Sequence, residues 1–220
     1  MHPDPIHNPC RIVPIAAGAA PVFTLAAPAP VDPAVAAARE AVWTHLRAGQ
    51  PRLHDGPILL VDPAEVLAGR LVARCEGYKA FITAEQVNLE ARNRIWALGI
   101  QGLVTAPDPR GRPCVLLARR AGSTRIYGGL WENAPSGAVP PPASASVGTT
   151  IGPAELLTAL HQEAMEELAL DLSACSGEWV AWLHDPNART IDLVVRCPLP
   201  ATTHLPCPAA ANWEYLDAAW

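Results

Sequence analysis

Apolar residues in this chain gather mostly in short runs of four to eight, separated by Pro- and Gly-rich punctuation, with a few stretches spaced three to four apart; the mixture predicts an α/β fold. Ile12-Val13 and Val22-Phe23-Thr24-Leu25 read as short strands in a Pro- and Ala-rich start. Asp32-Pro33 opens a helix to about Ala48, because Pro suits the first turn and Val35, Ala38, Val42 and Leu46 form a stripe. Ile58 to Val61 and Leu71 to Arg74 read as strands joined by a turn, and Tyr78 to Arg94 as a short helix or loop. Trp96 to Val104 and Cys114 to Arg120 form a predicted hairpin across Asp108-Pro109-Arg110-Gly111-Arg112. After a glycine-punctuated loop from Tyr127 to Gly137 comes the one long helix, Pro153 to about Leu170. Glu178 to His184 and Ile191 to Arg196 read as a strand pair, and Trp213 to Leu216 as a last strand. The change of pattern at Ile95 suggests an N-terminal α+β module, mainly β, over 1–94 and a second unit over 95–220.

Composition narrows the function. The 220 residues allow one domain with an added module or two small ones. Half the residues are hydrophobic and 17% are charged, which excludes a disordered chain; 24 prolines promise many turns. A net charge of -5 with no Lys/Arg run lacks the electrostatic footprint that a nucleic acid polymer or an anionic membrane requires. The apolar stretch Ile12 to Ala27 loosely resembles a signal peptide, but Pro14 and Pro21 interrupt it and Asp4 precedes it, so strands are the better reading. Six cysteines (Cys10, Cys75, Cys114, Cys175, Cys197, Cys207) form no C-x-x-C pair and sit mostly among apolar neighbours, which suits reduced thiols and a cytoplasmic setting. Seven histidines show no H-x-H or H-E-x-x-H pairing, which argues against zinc. Nothing in the sequence speaks to oligomeric state.

The chemistry sits on the long helix. With Leu160 at zero and about 100° per residue, Leu156, Leu157, Ala164 and Leu168 fall within about a third of the circumference and make a core face. Glu167 lies beside that face, Glu163 on its flank and Glu166 further round, neighbours at i, i+3 and i+4. Such a ridge on an arbitrary helix is a solvated face. Here, however, residues 153–172 contain no Lys or Arg to offset the repulsion. The glutamates also sit in the C-terminal half, where the macrodipole disfavours anions, and they border apolar surface. Three local penalties point to a missing cation, and oxygen-only donors select Mg2+ or Mn2+.

Gly148 and the glutamates Glu163, Glu166 and Glu167, followed by Leu170, resemble the Nudix box, G-x5-E-x7-R-E-U-x-E-E-x-G-U with U a bulky apolar residue. The departures are Ala154 for the first Glu, Gln162 for Arg, Ala164 for the bulky residue and Ala169 for the last Gly, with Glu155 placed to substitute in part for the Glu missing at 154. Leu116 to Arg120 resembles the strand before the box, and Trp131-Glu132-Asn133-Ala134-Pro135-Ser136-Gly137 resembles the family's W-E-x-P-G-G loop. In the alignment we prefer, Gly137 is the loop glycine and residues 138–152 carry an insertion. The N-terminal segments Val42 to Arg47 and Leu53 to Pro57 look like the UDP-sugar pyrophosphatase branch of the family.

The resemblance implies an α/β/α sandwich with a mixed sheet, a further helix that the sequence does not show before Trp220, and hydrolysis of a diphosphate bond. It implies Glu163 and Glu167 as metal ligands, Glu166 as ligand or base, and a backbone carbonyl near Gly137 as a further ligand. Arg119, Arg120 and Arg125 are candidate phosphate contacts, and Tyr78 and Phe81 candidate stacking rings for a base. Trp131 reads as structural. The expected substrate is a small-molecule nucleotide, foremost a UDP-sugar such as UDP-glucose giving UMP and sugar 1-phosphate. Another Nudix substrate such as ADP-ribose, or a domain that binds nucleotide or a partner without turnover, is the alternative; Ala154 and Gln162 favour the latter.

Overall fold

A computed structural model describes residues 9–87, 95–200 and 213–220. Its centre is a mixed ten-stranded sheet. The strands are β1 (Arg11–Pro14), β2 (Phe23–Ala26), β3 (Pro57–Val61), β4 (Val72–Gly77), β5 (Trp96–Pro107), β6 (Pro113–Val115), β9 (Ser136–Ala138), β10 (Thr150–Ile151), β11 (Glu178–Asp185) and β12 (Thr190–Pro198). The main path runs β1-β11-β12-β5-β3-β4-β2-β10, with β6 and β9 also paired to β5. A second sheet has the order β13-β7-β8, built from β7 (Leu117–Arg120), β8 (Trp131–Asn133) and β13 (Tyr215–Ala219).

The helices are α1 (Pro33–Gly49), α2 (Pro63–Leu67), α3 (Tyr78–Val87) and α4 (Pro153–Leu168). Strand alternation sorts the apolar side chains to two faces. On one, Leu59, Val61, Leu98, Ile100, Ile191 and Leu193 meet Leu156, Leu160, Ala164 and Leu168 of α4. On the other, Ile58, Leu60 and Ala97 meet Trp43 of α1 and Phe81 and Ile82 of α3. Helices thus cover both faces; the α/β class is what the sequence pattern anticipated, and the mixed sheet is what the resemblance implied. The boundary at residue 94 lies outside the described residues, and strands from both sides of it share the ten-stranded sheet.

Several elements differ from expectation for local reasons. The connection between β3 and β4 holds a short helix: Asp62 Oδ1 accepts from Ala64 N at 2.9 Å and Pro63 opens the turn, repeating the Asp32-Pro33 cap of α1. In α1 the buried anchor is Trp43, while Ala38 is exposed. The hairpin after β5 splits, β6 pairing with β5 while β7 leaves for the small sheet. The region read as a loop contains β8 and β9, and the inserted stretch supplies β10, paired to β2. Of the segment from Tyr78 to Arg94, residues 78–87 are helical and 88–94 lie outside the described residues.

β5 positions the candidate site. One edge pairs in parallel with β12 from Thr190↔Ala97 to Pro198↔Thr105. The other edge is taken in turn by β3, β9 and β6, and the β9 register Ile100↔Gly137 and Gln101↔Ser136 brings the loop before the insertion under α4. Helix α4 ends as Ala169 adopts φ 50° and ψ 34°, with Leu170 N donating to Ala164 O at 3.0 Å. A Cβ in that left-handed conformation costs on the order of 1 kcal/mol. Ala169→Gly is therefore expected to stabilise the fold by about 1 kcal/mol, read as an increased midpoint in urea unfolding; an unchanged or lower midpoint would show that the terminus is not strained.

Candidate functional site

Helix α4 is laid down by its apolar stripe: Leu156, Leu160 and Ala164 are fully buried and Leu168 nearly so. With the rotation so fixed, Glu163 and Glu167 face the Ser136–Gly137 segment and Met165 faces solvent. Glu167 is only 5% exposed, and its Oε2 accepts from Ser136 N at 3.1 Å. The Glu163 carboxylate lies over Gly137 so closely that any Cβ there would collide with its carboxyl carbon and both oxygens. Gly137 thus leaves room for the Glu163 carboxylate, which a side chain at this position would displace.

Burial raises both carboxyl groups. Glu167 is pushed up to about 9, first by desolvation and then by Glu163, with Ser136 N–H acting against the rise. Glu163 is pushed up to about 7 by desolvation, then by Glu166 and Glu214. Glu166 is exposed and turned along its own helix, Oε1 accepting from Gln162 Nε2 at 2.8 Å. Gln162, where the resemblance expects Arg, engages a carboxylate without neutralising it. Glu155 accepts from Gly152 N at 2.9 Å and caps the helix, so it serves the N-terminus and does not join the glutamates.

A second tier of residues comes from the small sheet. The Arg120 guanidinium donates to Glu132 Oε1 and lies 3.9 Å from Glu214 Oε2, and Tyr215 OH donates to the same Glu132 oxygen at 2.7 Å. Burial raises Glu214, with Arg120 opposing the rise. Arg120 is therefore engaged internally and does not stand open to a phosphate. Sequence reasoning did not assemble this group, because its members come from three separate segments.

The remaining nominated residues fall elsewhere. Arg119 is exposed on the outer side of β7. Arg125 donates to Ala188 O at 3.4 Å and sits 5.6 Å over the Phe81 ring. Phe81 is 2% exposed and also carries the Arg189 guanidinium at 4.6 Å, so it is a core ring under two cations and has no face for a base. Tyr78 packs against it at 5.7 Å. Across the sheet from the glutamates, Asp192 was not foreseen. It is buried, accepts from Gln101 Nε2 and Thr190 Oγ1, each at 3.0 Å, and burial pushes it up to about 7. A lone Asp within the apolar run Ile191 to Val195 was the signal for it.

The donor set suits a hard divalent cation by type, since Glu163 and Glu167 are oxygen donors held away from water and raised by their neighbours. Among the described residues, however, no three His, Cys, Asp or Glu side chains converge closely enough to hold an ion as they stand. The third carboxylate, Glu166, is turned to Gln162. The five described cysteines are free thiols, and Cys207 lies outside the described residues. No described helix is long and apolar enough to cross a membrane.

No family model matches the chain, and no curated protein does. Among solved structures it is similar to a MutT protein from Methanosarcina mazei Go1 (17% identity, 56% of this chain and 75% of that one, TM-score 0.39). It is also similar to the Nudix hydrolase RenU from M. smegmatis (20%, 56% and 69%, 0.40). A third is the NUDIX domain of Shewanella oneidensis NrtR complexed with ADP ribose (16%, 63% and 80%, 0.42).

The raised glutamates set a pH dependence. Carboxyls whose folded value lies above the ordinary 4.5 favour the fold fully below that value, and the contribution is lost as pH rises through about 7 for Glu163 and about 9 for Glu167. In chelator, the Tm is expected to fall between pH 5 and 9, and Glu167→Gln, which cannot ionise, is expected to flatten that fall. Scanning calorimetry across this range checks it, and a fall as steep in the variant as in the parent would contradict the assignment.

Proposed function

We propose that the chain is a Nudix-type, metal-dependent hydrolase of a nucleoside diphosphate linked to another moiety. The reading rests on one observation: the buried Glu167 and the half-buried Glu163 face the Ser136–Gly137 strand with no arginine or lysine on their own helix. In this reading residues 1–94 form an N-terminal module and 95–220 the catalytic unit, working in a reducing cytoplasm. The preferred substrate is a UDP-sugar, such as UDP-glucose, cleaved to UMP and sugar 1-phosphate.

Glu163 and Glu167 would hold Mg2+ or Mn2+, with the Gly137 carbonyl adding an oxygen from the strand that Glu163 already touches. When bound, the cation neutralises the diphosphate and lowers the pKa of water. Glu166 is the exposed member of the three. Released from Gln162, it can complete the ligand set or accept the proton of the attacking water. The water oxygen bonds to one phosphorus, the bridging P–O bond breaks, and the bridging oxygen leaves with the other phosphate. Arg119, exposed on β7, offers a charge-assisted contact to a phosphate oxygen.

One observation favours a second reading, in which the domain binds nucleotide without turnover: Glu166 is held by Gln162, so the three carboxylates do not converge. A panel containing UDP-glucose and ADP-ribose, with Mg2+ or Mn2+ and chromatographic product analysis, separates the two. Under the hydrolase reading, UMP and glucose 1-phosphate accumulate, EDTA stops the reaction, and Glu163→Gln or Glu167→Gln lowers kcat by about a hundredfold or more. Binding without product supports the second reading, and turnover undiminished in Glu167→Gln overturns the assignment of the glutamates. Gly137→Ala is expected to lower kcat comparably while the chain still folds, because the added methyl displaces the Glu163 carboxylate; wild-type kcat in a folded variant would show that this contact is dispensable.

A further inference from the structure

Trp131, expected to be structural, is 44% exposed. A large indole left half in water is unusual unless something covers it. It lies on β8, the edge strand of the small sheet, directly opposite Arg119 of β7, so the indole and the guanidinium share the outer face. Asp217 of β13 flanks Arg119 on its other side, and the exposed Leu117 and Leu130 extend the apolar surface. The next residue of β8 points the other way: Glu132 joins Arg120 and Tyr215 beside Glu167. One short edge strand thus carries Glu132, whose charge bears on Glu167, on its inner side and an indole on its outer side. From Trp131 to Ser136, whose N–H meets Glu167, is five residues, at most about 17 Å of chain.

The other aromatic candidates each meet a ring or a cation. Phe81 lies beneath Arg125 and Arg189, Tyr78 packs on Phe81, and the half-exposed Trp213 carries the Arg52 guanidinium 5.8 Å from its ring. Among the described residues Trp131 has no such ring or cation contact.

We propose that Trp131 is the stacking platform for the nucleobase of the substrate, with Arg119 beside it contacting the phosphate end of the same nucleotide. The chemistry is that of an aromatic face next to a guanidinium: the ring takes the π-face of a base and the cation takes an anion, a pairing suited to a nucleoside phosphate. Stacking alone tolerates several bases, so this surface sets a preference for nucleotides over base-free diphosphates.

The inference rests on the nucleotide-hydrolase reading, and the test separates the two. Wild type, Trp131→Ala and Trp131→Phe are compared on UDP-glucose, on ADP-ribose and on P1,P2-dimethyl diphosphate, with equilibrium dialysis of UMP alongside. For the Ala variant we expect KM for the nucleotides to rise, and UMP binding to weaken, by about tenfold, with kcat kept, dimethyl diphosphate kinetics unchanged and Tm unaltered. Phe is expected to restore most of the loss. Nucleotide KM and UMP binding within twofold of wild type in a folded Ala variant overturn the platform while leaving the hydrolase reading standing. If wild type turns over none of the three, the hydrolase reading fails; UMP binding lost in Ala and regained in Phe then still supports the platform, and UMP binding that is absent or unchanged overturns it.

Discussion

Two carboxyl groups, Glu167 buried and Glu163 half-buried, set side by side between a helix and a strand are the constraint around which this end of the molecule is built. Removing a carboxylate from water is costly, and a second one alongside raises the cost, so both side chains are driven toward protonation unless positive charge is supplied. The surrounding backbone is shaped to this. Ser136 N–H donates to Glu167, and position 137 lacks a side chain because the Glu163 carboxylate occupies that space. The segment bearing both is pinned to β5 by its register, and the Leu156, Leu160, Ala164, Leu168 stripe sets the helix rotation. Ala164, fully buried, leaves the helix free to approach the sheet where a bulky side chain would hold it off.

The guanidinium of the small sheet beside this pair is already engaged. Arg120 binds Glu132 and faces Glu214, and Tyr215 adds a hydrogen bond to the same Glu132 oxygen, so the guanidinium helps fasten the small sheet together. Glu132 and Glu214 in turn add to the field that raises Glu167. Negative potential therefore accumulates toward Glu163 and Glu167, which is the electrostatic profile a divalent cation relieves.

Much of α4 was legible in the sequence because a helix with one apolar stripe fixes which residues face inward by angle alone. That geometry put Glu167 beside the core and Glu163 on its flank, and the structure buries Glu167 and lays Glu163 on Gly137. The Arg120, Glu132, Glu214 and Tyr215 group was not legible, since it depends on strands distant in sequence pairing in a second sheet. Helix α2, five residues long, is too short to show a period, although Asp62-Pro63 repeats the capping cue read correctly at Asp32-Pro33. Phe81 is covered while Trp131 is half exposed, because residue type says that an aromatic ring is apolar and only the fold says which ring is covered.

The two positions at which the helix departs from the resemblance gain a physical reading from their neighbours. Against the box it resembles, the chain has Ala154 in place of an acid and Gln162 in place of a base, and a charge pair absent as a whole leaves no stranded charge, whereas one absent in half would. At position 162 the neutral amide still donates to Glu166, so the helix keeps the hydrogen bond while giving up the neutralisation. At the helix start, Glu155 has turned to the Gly152 N–H and become a cap, a local role that asks nothing of the site. The donors that meet these glutamates, the Ser136 N–H at Glu167 and the Gln162 amide at Glu166, are neutral, so they hold the carboxylates without cancelling their charge. A bound cation would supply the positive charge that residues 153–172 do not carry.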